Sequence, residues 1–294
     1  MNSMKMYQVS TLQALMLGYS RAVISVSELL NHGNIGLGTF KDVDGEMIVL
    51  DGSCYRAMEN GDVAVAEPDR GVPFSTVCVM KESTPIEFGC INNIEELKTA
   101  LNIIIDSHFG LNSMHMARID GEFDIVDARS ESGYESVHVD LKTILGKTQK
   151  AFKFEKIKGT LVCVYFPDYM DGINAFGWHL HFISDDRAHG GHVFDIVMKS
   201  GKGQISKINS IEIKLPEGPM FDTYTLKEAS EEEIEEALKD DECLLDLADD
   251  EVSMLVNKEG IKWTWAPYSI LPGCDGAPSI FIKWQDVRKF KVEK

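Results

Sequence analysis

Four of the eight histidines of this chain lie within fourteen residues, in the stretch GWHLHFISDDRAHGGHVFD at 177–195. The W-H-L-H-F pattern favours a strand because aromatic and aliphatic residues flank the histidines. Side chains alternate along a strand with a period of two, so His179 and His181 should point to the same face. Two imidazole rings on one face can chelate a single metal ion.

A third histidine follows across a predicted turn. The segment SDDRAHGG, 184–191, is rich in turn-forming residues, and HVFDIVM, 192–198, resumes an extended apolar pattern. Three neutral imidazoles at about 2.0–2.1 Å, with one position left for water or substrate, are typical of a catalytic zinc site. Iron, copper, nickel and cobalt also accept imidazole ligands. The predicted ligands are His179, His181 and His192.

The other histidines lack such a pattern. His189 lies inside the turn beside a glycine and is expected to be exposed to solvent. Structural positions are predicted for the remaining four, His32, His108, His115 and His138.

The elements around the histidines read mainly as short strands. From 36 to 67, apolar runs are separated by dipeptides typical of tight hairpin turns, in which both central residues need positive φ. These dipeptides are Asp44-Gly45, Asp51-Gly52 and Asn60-Gly61. The sequence therefore predicts an antiparallel meander, followed by another hairpin that turns at Asp120-Gly121 and by a glycine-containing turn at 200–203.

Three segments predict helices. Residues 11–31 fit one or two short helices that a glycine at 33 ends. Residues 92–108 predict a longer helix capped by Asn93 and Glu96. Its expected apolar face carries Ile94, Leu97, Leu101, Ile104 and His108. The acidic segment 228–242 predicts a helix with Ser230 as its N-cap, since glutamates in the first turn suit the helix dipole.

Composition narrows the class of protein. At 294 residues, with 44% hydrophobic and 26% charged residues, the chain is typical of a soluble globular protein of one or two domains. A net charge of −18 argues against nucleic acid or an anionic membrane as partner. No stretch approaches the roughly 18 apolar residues of a membrane span. The six cysteines are scattered and read as reduced thiols, so we expect a cytoplasmic protein.

Five segments, in this order, resemble the acetolactate decarboxylase family. They are GTFKDVDGEMIVLDG at 38–52, PFSTV at 73–77, MARIDGEFDIVDAR at 116–129, KGTLV at 158–162 and GWHLHFISDDRAHGGHVFD at 177–195. The resemblance covers most of residues 10–240, and its most specific motif is G-x-H-L-H-F with a third histidine eleven residues later.

The resemblance implies an α/β (α+β) fold in which a mixed β-sheet domain precedes a small β-barrel domain that carries the metal site. The expected boundaries are 1–150 for the first domain, 151–242 for the barrel with its acidic tail helix, and 243–294 for an extension without an assigned role. It also implies a homodimer that acts on a small-molecule substrate. The role can be fermentative, in the butanediol pathway, or the removal of excess acetolactate from branched-chain amino-acid synthesis, and the sequence leaves both open.

The same resemblance implies conversion of 2-acetolactate to (R)-acetoin and CO₂ through a metal-stabilised enediolate, with one Zn²⁺ on the three histidines. The implied site residues are Glu46, Thr39, the substrate-binding Arg129 and a tail-helix glutamate, Glu236, with Glu235 as the next candidate. Arginine presents a planar fork that matches a carboxylate. A glutamate with a pKa near neutrality could deliver the proton, and the sequence leaves Glu46 and Glu236 both open for that role.

The chain departs from the family after Arg129, where SESGYESVHV replaces a basic, proline-containing stretch. A cupin-type oxygenase is one alternative function, although the glutamate that cupins usually place shortly after H-x-H is absent from residues 182–185. A non-catalytic binding module that uses its acidic tail to recruit a basic partner is another. Acetoin production from 2-acetolactate would separate these possibilities.

Overall fold

The computed structural model describes residues 4–81, 83–134, 139–224 and 226, and the backbone of three short strands further along the chain. The helices of the described residues are α1 Leu12–Met16, α2 Val26–Leu29, α3 Ile94–His108, α4 Leu141–Thr148 and α5 Pro219–Asp222. The strands are β1 Lys5–Val9, β2 Ile24–Ser25, β3 Ile35–Thr39, β4 Glu46–Leu50, β5 Ser53–Ala57, β6 Val63–Val65, β7 Gly71–Val72, β8 Phe74–Cys78, β9 Thr84–Phe88, β10 Met114–Glu131, β11 Gln149–Phe166, β12 Gly177–Ser184, β13 Gly190–Ile208, β14 Ser210–Lys214, β15 Cys243–Asp246, β16 Ser253–Val256 and β17 Lys262–Trp265. This part of the chain is therefore mostly β-sheet with few helices.

The chain divides into two compact units, Met1–Leu215 and Pro216–Lys294. The expected division near residue 150 stays a prediction, and the first unit contains residues from both sides of it. In the second unit, β15, β16 and β17 form an antiparallel three-stranded sheet. The acidic helix expected at 228–242 lies outside the described residues.

The first sheet has seven strands in the order β14-β1-β8-β3-β4-β5-β6 and is mixed, because β1 and β14 run parallel while the other pairs are antiparallel. Strands β3 to β6 are neighbours in sequence and in space, which confirms the predicted meander. Asp51 and Gly52 join β4 to β5 with φ of 53° and 78°. Both values are positive, as a type I′ turn requires.

The second sheet runs β10-β11-β12-β13-β9, and β13 also pairs with β10. The hairpin predicted at Asp120-Gly121 is wrong, because both residues lie within the continuous strand β10. The turn predicted at 200–203 is also wrong, since β13 continues through it. Gly121 faces Gly159 of β11 on one side and Gly201 of β13 on the other. These glycines allow the neighbouring strands to approach closely, and they do not form a turn.

Helix α3 confirms the capped helix predicted from the sequence. The Asn93 side chain accepts a hydrogen bond from the Glu96 amide at 2.9 Å. The buried face comprises Ile94, Leu97, Leu101 and Ile105, so it differs from the predicted face at its C-terminal end, where His108 is exposed. Helices α1 and α2 account for the helical pattern at 11–31. Among the described residues, no helix is long and apolar enough to cross a membrane.

A buried apolar cluster joins the two sheets. It includes Leu37 and Ile48 of the first sheet together with Val162 and Ile183 of the second. Burial of such side chains stabilises a fold by about 1.5–3 kcal/mol each. This packing places the start of β4 against β12, the strand that carries two of the candidate ligands.

Candidate metal centre

The three histidines predicted as ligands meet on one face of the second sheet. His181 of β12 and His192 of β13 are directly opposed in register, and His179 lies two residues before His181. His179 Nε2 is 3.1 Å from His181 Nε2 and 3.1 Å from His192 Nδ1. Two nitrogens this close together can both bind one ion at the usual zinc–imidazole distance of about 2.0–2.1 Å. The cluster therefore fits a three-imidazole metal site.

The protonation of these rings also suits metal binding. His181 is fully buried, and its Nδ1 donates a hydrogen bond to the Met47 carbonyl at 2.8 Å, which leaves the Nε2 lone pair on the side of the other histidines. Burial lowers the pKa of His179 to about 4 and the pKa values of His181 and His192 well below the usual value, with Arg129 contributing to each. All three are neutral near pH 7, the form that ligates metals.

Glu46 reaches the histidines from the first sheet. It is the first residue of β4, and its Oε2 lies 3.3 Å from His181 Nε2 while Oε1 lies 3.7 Å from His192 Nδ1. Thr39 is its register partner on β3, and the Thr39 hydroxyl donates to the Gly45 carbonyl at 3.0 Å. Burial, followed by the nearby Glu131 carboxyl, raises the pKa of Glu46 well above its ordinary value.

Arg129, near the end of β10, lies next to the histidine cluster. Arg129 pairs in register with His192, and its Nη2 lies 3.4 Å from His192 Nε2. Within the described part of the chain, the buried Arg129 Nε–H has no hydrogen-bond partner. A charged group with a free donor is therefore available to an anionic ligand.

Glu131 is a site residue that the sequence did not reveal. It lines the site with 1% of its surface exposed, and burial raises its pKa to about 8. The segment that resembles the family ends at Arg129, whereas β10 continues to Glu131. The period-two rule, carried two residues further, would have placed Glu131 on the same face as Arg129.

These groups line one cavity of about 470 Å³, within the usual range for small-molecule sites. Its polar lining includes Thr39, Glu46, Arg129, Glu131, His179 and His192. Apolar side chains complete the walls, among them Leu12, Leu15, Phe74, Trp178, Leu180 and Val193. The Trp178 indole N–H is held by the Asn102 side chain at 2.9 Å.

Other predicted residues lie elsewhere. His189 belongs to the turn before β13, with its side chain 43% exposed and its Nδ1 3.8 Å from Asp62, outside the ligand cluster. His115 is buried beside Phe109 and Tyr165. The candidates Glu235, Glu236 and His138 lie outside the described residues.

Comparisons with known proteins agree on one family. A sequence model described as alpha-acetolactate decarboxylase matches residues 6–228. The alpha-acetolactate decarboxylase of Methanosarcina mazei is 34% identical over 234 residues, covering 80% of each chain. The corresponding Bacillus subtilis protein is 32% identical over 212 residues, covering 72% of this chain and 82% of that protein.

Solved structures give the same result. The crystal structure of the Bacillus subtilis alpha-acetolactate decarboxylase superposes with a TM-score of 0.72 at 31% identity, covering 76% of this chain and 94% of that chain. A Staphylococcus aureus protein of unknown function, described as similar to alpha-acetolactate decarboxylase, gives a TM-score of 0.68 at 27% identity, covering 72% and 89%.

Proposed function

This chain belongs to the alpha-acetolactate decarboxylase family, and from that membership we propose that it decarboxylates acetolactate at a metal ion held by His179, His181 and His192. The chain is a carboxy-lyase that acts on acetolactate. The observation that carries the metal proposal is the cluster of three neutral imidazoles, in which His179 Nε2 lies 3.1 Å from a ring nitrogen of each of the other two, and of which His179 and His192 line the cavity. Zinc is our choice of ion because three histidines with an open position are typical of catalytic zinc.

The reaction breaks the bond between C2 and the carboxylate carbon. The electron pair of that bond moves into the neighbouring ketone, CO₂ leaves, and an enediolate remains. When bound, the metal ion would supply Lewis-acid stabilisation of the negative charge that develops on the substrate oxygens. Arg129 would bind the departing carboxylate with its planar fork, and its unpartnered Nε–H supports this role.

The enediolate then takes a proton on carbon to give acetoin, which we propose to be the (R) enantiomer. Glu46 is our candidate donor because its carboxyl lies 3.3 Å from His181 and burial favours its protonated form. The proton is restored from solvent after each turnover. We assign Thr39 to holding the turn that leads into Glu46, through its hydrogen bond to Gly45. Glu236 remains the alternative donor.

The strand pairing of the second sheet supports the prediction of a small β-barrel. Its pairings run from β10 through β11 and β12 to β13, and β13 pairs again with β10. We propose that this circuit is the small barrel expected to carry the metal site. The homodimer stays a prediction.

An acetoin assay with and without chelator tests the proposed metal site. Purified chain is mixed with racemic 2-acetolactate, acetoin is measured against the spontaneous rate, and bound metal is quantified. We expect chelator to abolish activity and Zn²⁺ to restore it. His181→Ala should lose both metal and activity, whereas His189→Ala, the matched control, should keep both.

Two results would contradict the assignment. Equal losses in the two histidine variants would remove the basis for the ligand set. Turnover that consumes oxygen with iron bound would favour the oxygenase alternative instead.

A further inference from the structure

The Ser130 hydroxyl, near the end of β10, bonds to two neighbouring strands of the first sheet. It accepts a hydrogen bond from the Glu46 amide at 3.2 Å and donates one to the Ala57 carbonyl at 2.8 Å. Glu46 of β4 and Ala57 of β5 are register partners in that sheet. A side chain of the second sheet therefore bridges a backbone N–H and a backbone C=O of the first sheet at the position of Glu46.

The next residue of β4 makes a second hydrogen bond to the second sheet. The Met47 carbonyl accepts from His181 Nδ1 at 2.8 Å, and both residues are fully buried. Ser130 is fully buried as well. Bulk water therefore cannot take over either bond, and both depend on particular side chains of the second sheet. The start of β4 is thus fixed to the second sheet at two successive residues.

This double attachment determines where the Glu46 carboxyl lies. Its two oxygens are 3.3 and 3.7 Å from ring nitrogens of two candidate ligands. Glu46 is the first residue of its strand, so its backbone is held from one side only by β4 itself. In the turn before it, Asp42 and Val43 have φ of 62° and 56°, a region that non-glycine residues rarely adopt. The hydrogen bond to Ser130 therefore supplies a support that the turn alone does not.

We propose that Ser130 is a positioning residue of this decarboxylase, which holds the first residue of β4 so that the Glu46 carboxyl faces the histidine cluster. The inference rests on the proposed action of Glu46 on the substrate, and it holds for either protonation state of that carboxyl. Ser130 is not among the described residues that line the cavity, so it acts through Glu46. One strand end then serves two groups of the site, since Arg129 binds the substrate carboxylate while Ser130 fixes the glutamate.

Replacing Ser130 with alanine removes the hydroxyl and tests the proposal. We expect Ser130→Ala to lower kcat for acetoin formation about 10- to 100-fold, because a misplacement of about 1 Å can cost on the order of 100-fold in rate. KM should stay within about threefold, since Arg129 keeps its pairings with both neighbouring strands. Metal content should remain at the wild-type level, because the hydrogen bond between His181 and the Met47 carbonyl remains.

Ser75→Ala is the matched control for a general loss of stability. Ser75 is fully buried in the first sheet, and its hydroxyl donates to the Leu37 carbonyl at 2.9 Å. Both alanine variants should lower Tm, because each deletes a buried hydrogen bond, but only Ser130→Ala should lower kcat.

Ser130→Cys provides a second variant should the alanine protein fold poorly. Its thiol is close to the hydroxyl in size but forms only weak hydrogen bonds, so kcat should fall by about 3- to 10-fold. KM and metal content should again match the wild-type protein.

The outcome that overturns the inference differs from the one that overturns the proposed function. Folded, metal-loaded Ser130→Ala with kcat within about twofold of wild type would exclude a positioning role, and so would equal losses of kcat in the Ser130 and Ser75 variants. In either case the histidine site would still stand. If instead His181→Ala retained activity, the proposed function would fail, whatever the Ser130 variants do.

Discussion

Replacing Arg129 with lysine tests how the site distinguishes a planar, two-pronged donor from a single positive charge. Arg129 pairs in register with His192, and its buried Nε–H has no partner among the described residues. The fork formed by Nε and Nη2 can therefore offer two parallel N–H groups to the substrate carboxylate. Lysine keeps the charge at this position but presents a point donor on a flexible stem.

The size of the effect follows from the hydrogen bond that is lost. A hydrogen bond to a charged group contributes about 1.5–3 kcal/mol, and about 1.4 kcal/mol corresponds to a tenfold change in rate. Losing one of two such bonds in Arg129→Lys should therefore lower kcat/KM about 10- to 150-fold. Because the positive charge remains, its influence on the pKa values of the neighbouring carboxyls and histidines should be largely preserved.

The assay is initial-rate acetoin formation over a range of acetolactate concentrations. Arg118→Lys is the matched control, since Arg118 lies on the same strand and forms ion pairs with Asp51 at 2.7 Å and Asp120 at 3.0 Å, away from the cavity. It should leave kcat/KM unchanged. A folded Arg129→Lys protein with kcat/KM within about twofold of wild type would refute the two-pronged recognition.

Two further predictions concern stability. A Cβ at Gly203 would lie 1.9 Å from the Arg118 carbonyl oxygen, so Gly203→Ala should destabilise the fold by roughly 1–3 kcal/mol and lower Tm. Gly89→Ala, with no atom within 4 Å of the added Cβ, is its control, and equal Tm values would contradict the prediction. Burial lowers the pKa of His115 to about 4, so the unfolded chain binds more protons between pH 6.5 and 4 and stability should fall as pH falls through that window. The free energy of unfolding is measured by urea titration at pH 7 and pH 4.5. His115→Phe should reduce the decrease between these two pH values by up to about 3 kcal/mol. An unchanged pH dependence would contradict the assignment.

The histidine hairpin could be predicted from the sequence because its signals are local. Strand alternation placed His179 and His181 on one face, and the turn-rich segment after them returned His192 to the same position. Asp51-Gly52 is a local signal of the same kind, since a tight turn needs residues that tolerate positive φ. In these cases the residues close in sequence determine the geometry.

The errors arose where distant strands determine the role of a residue. Asp120-Gly121 has the composition of a turn, yet Gly121 lies in mid-strand between two other glycines. The hydrogen bond from His181 could not be predicted either, because its acceptor is the backbone carbonyl of Met47, which any residue would supply.

The bond between His181 and the Met47 carbonyl also bears on the order in which the protein assembles. All three candidate ligands belong to the second sheet, but the group that orients His181 belongs to the first. Neither sheet alone therefore presents the ion with a fully oriented ligand set. In zinc fingers the metal organises an otherwise unfolded chain. Here ion uptake should follow the docking of the two sheets, so metal loading would mark the completion of folding rather than its start.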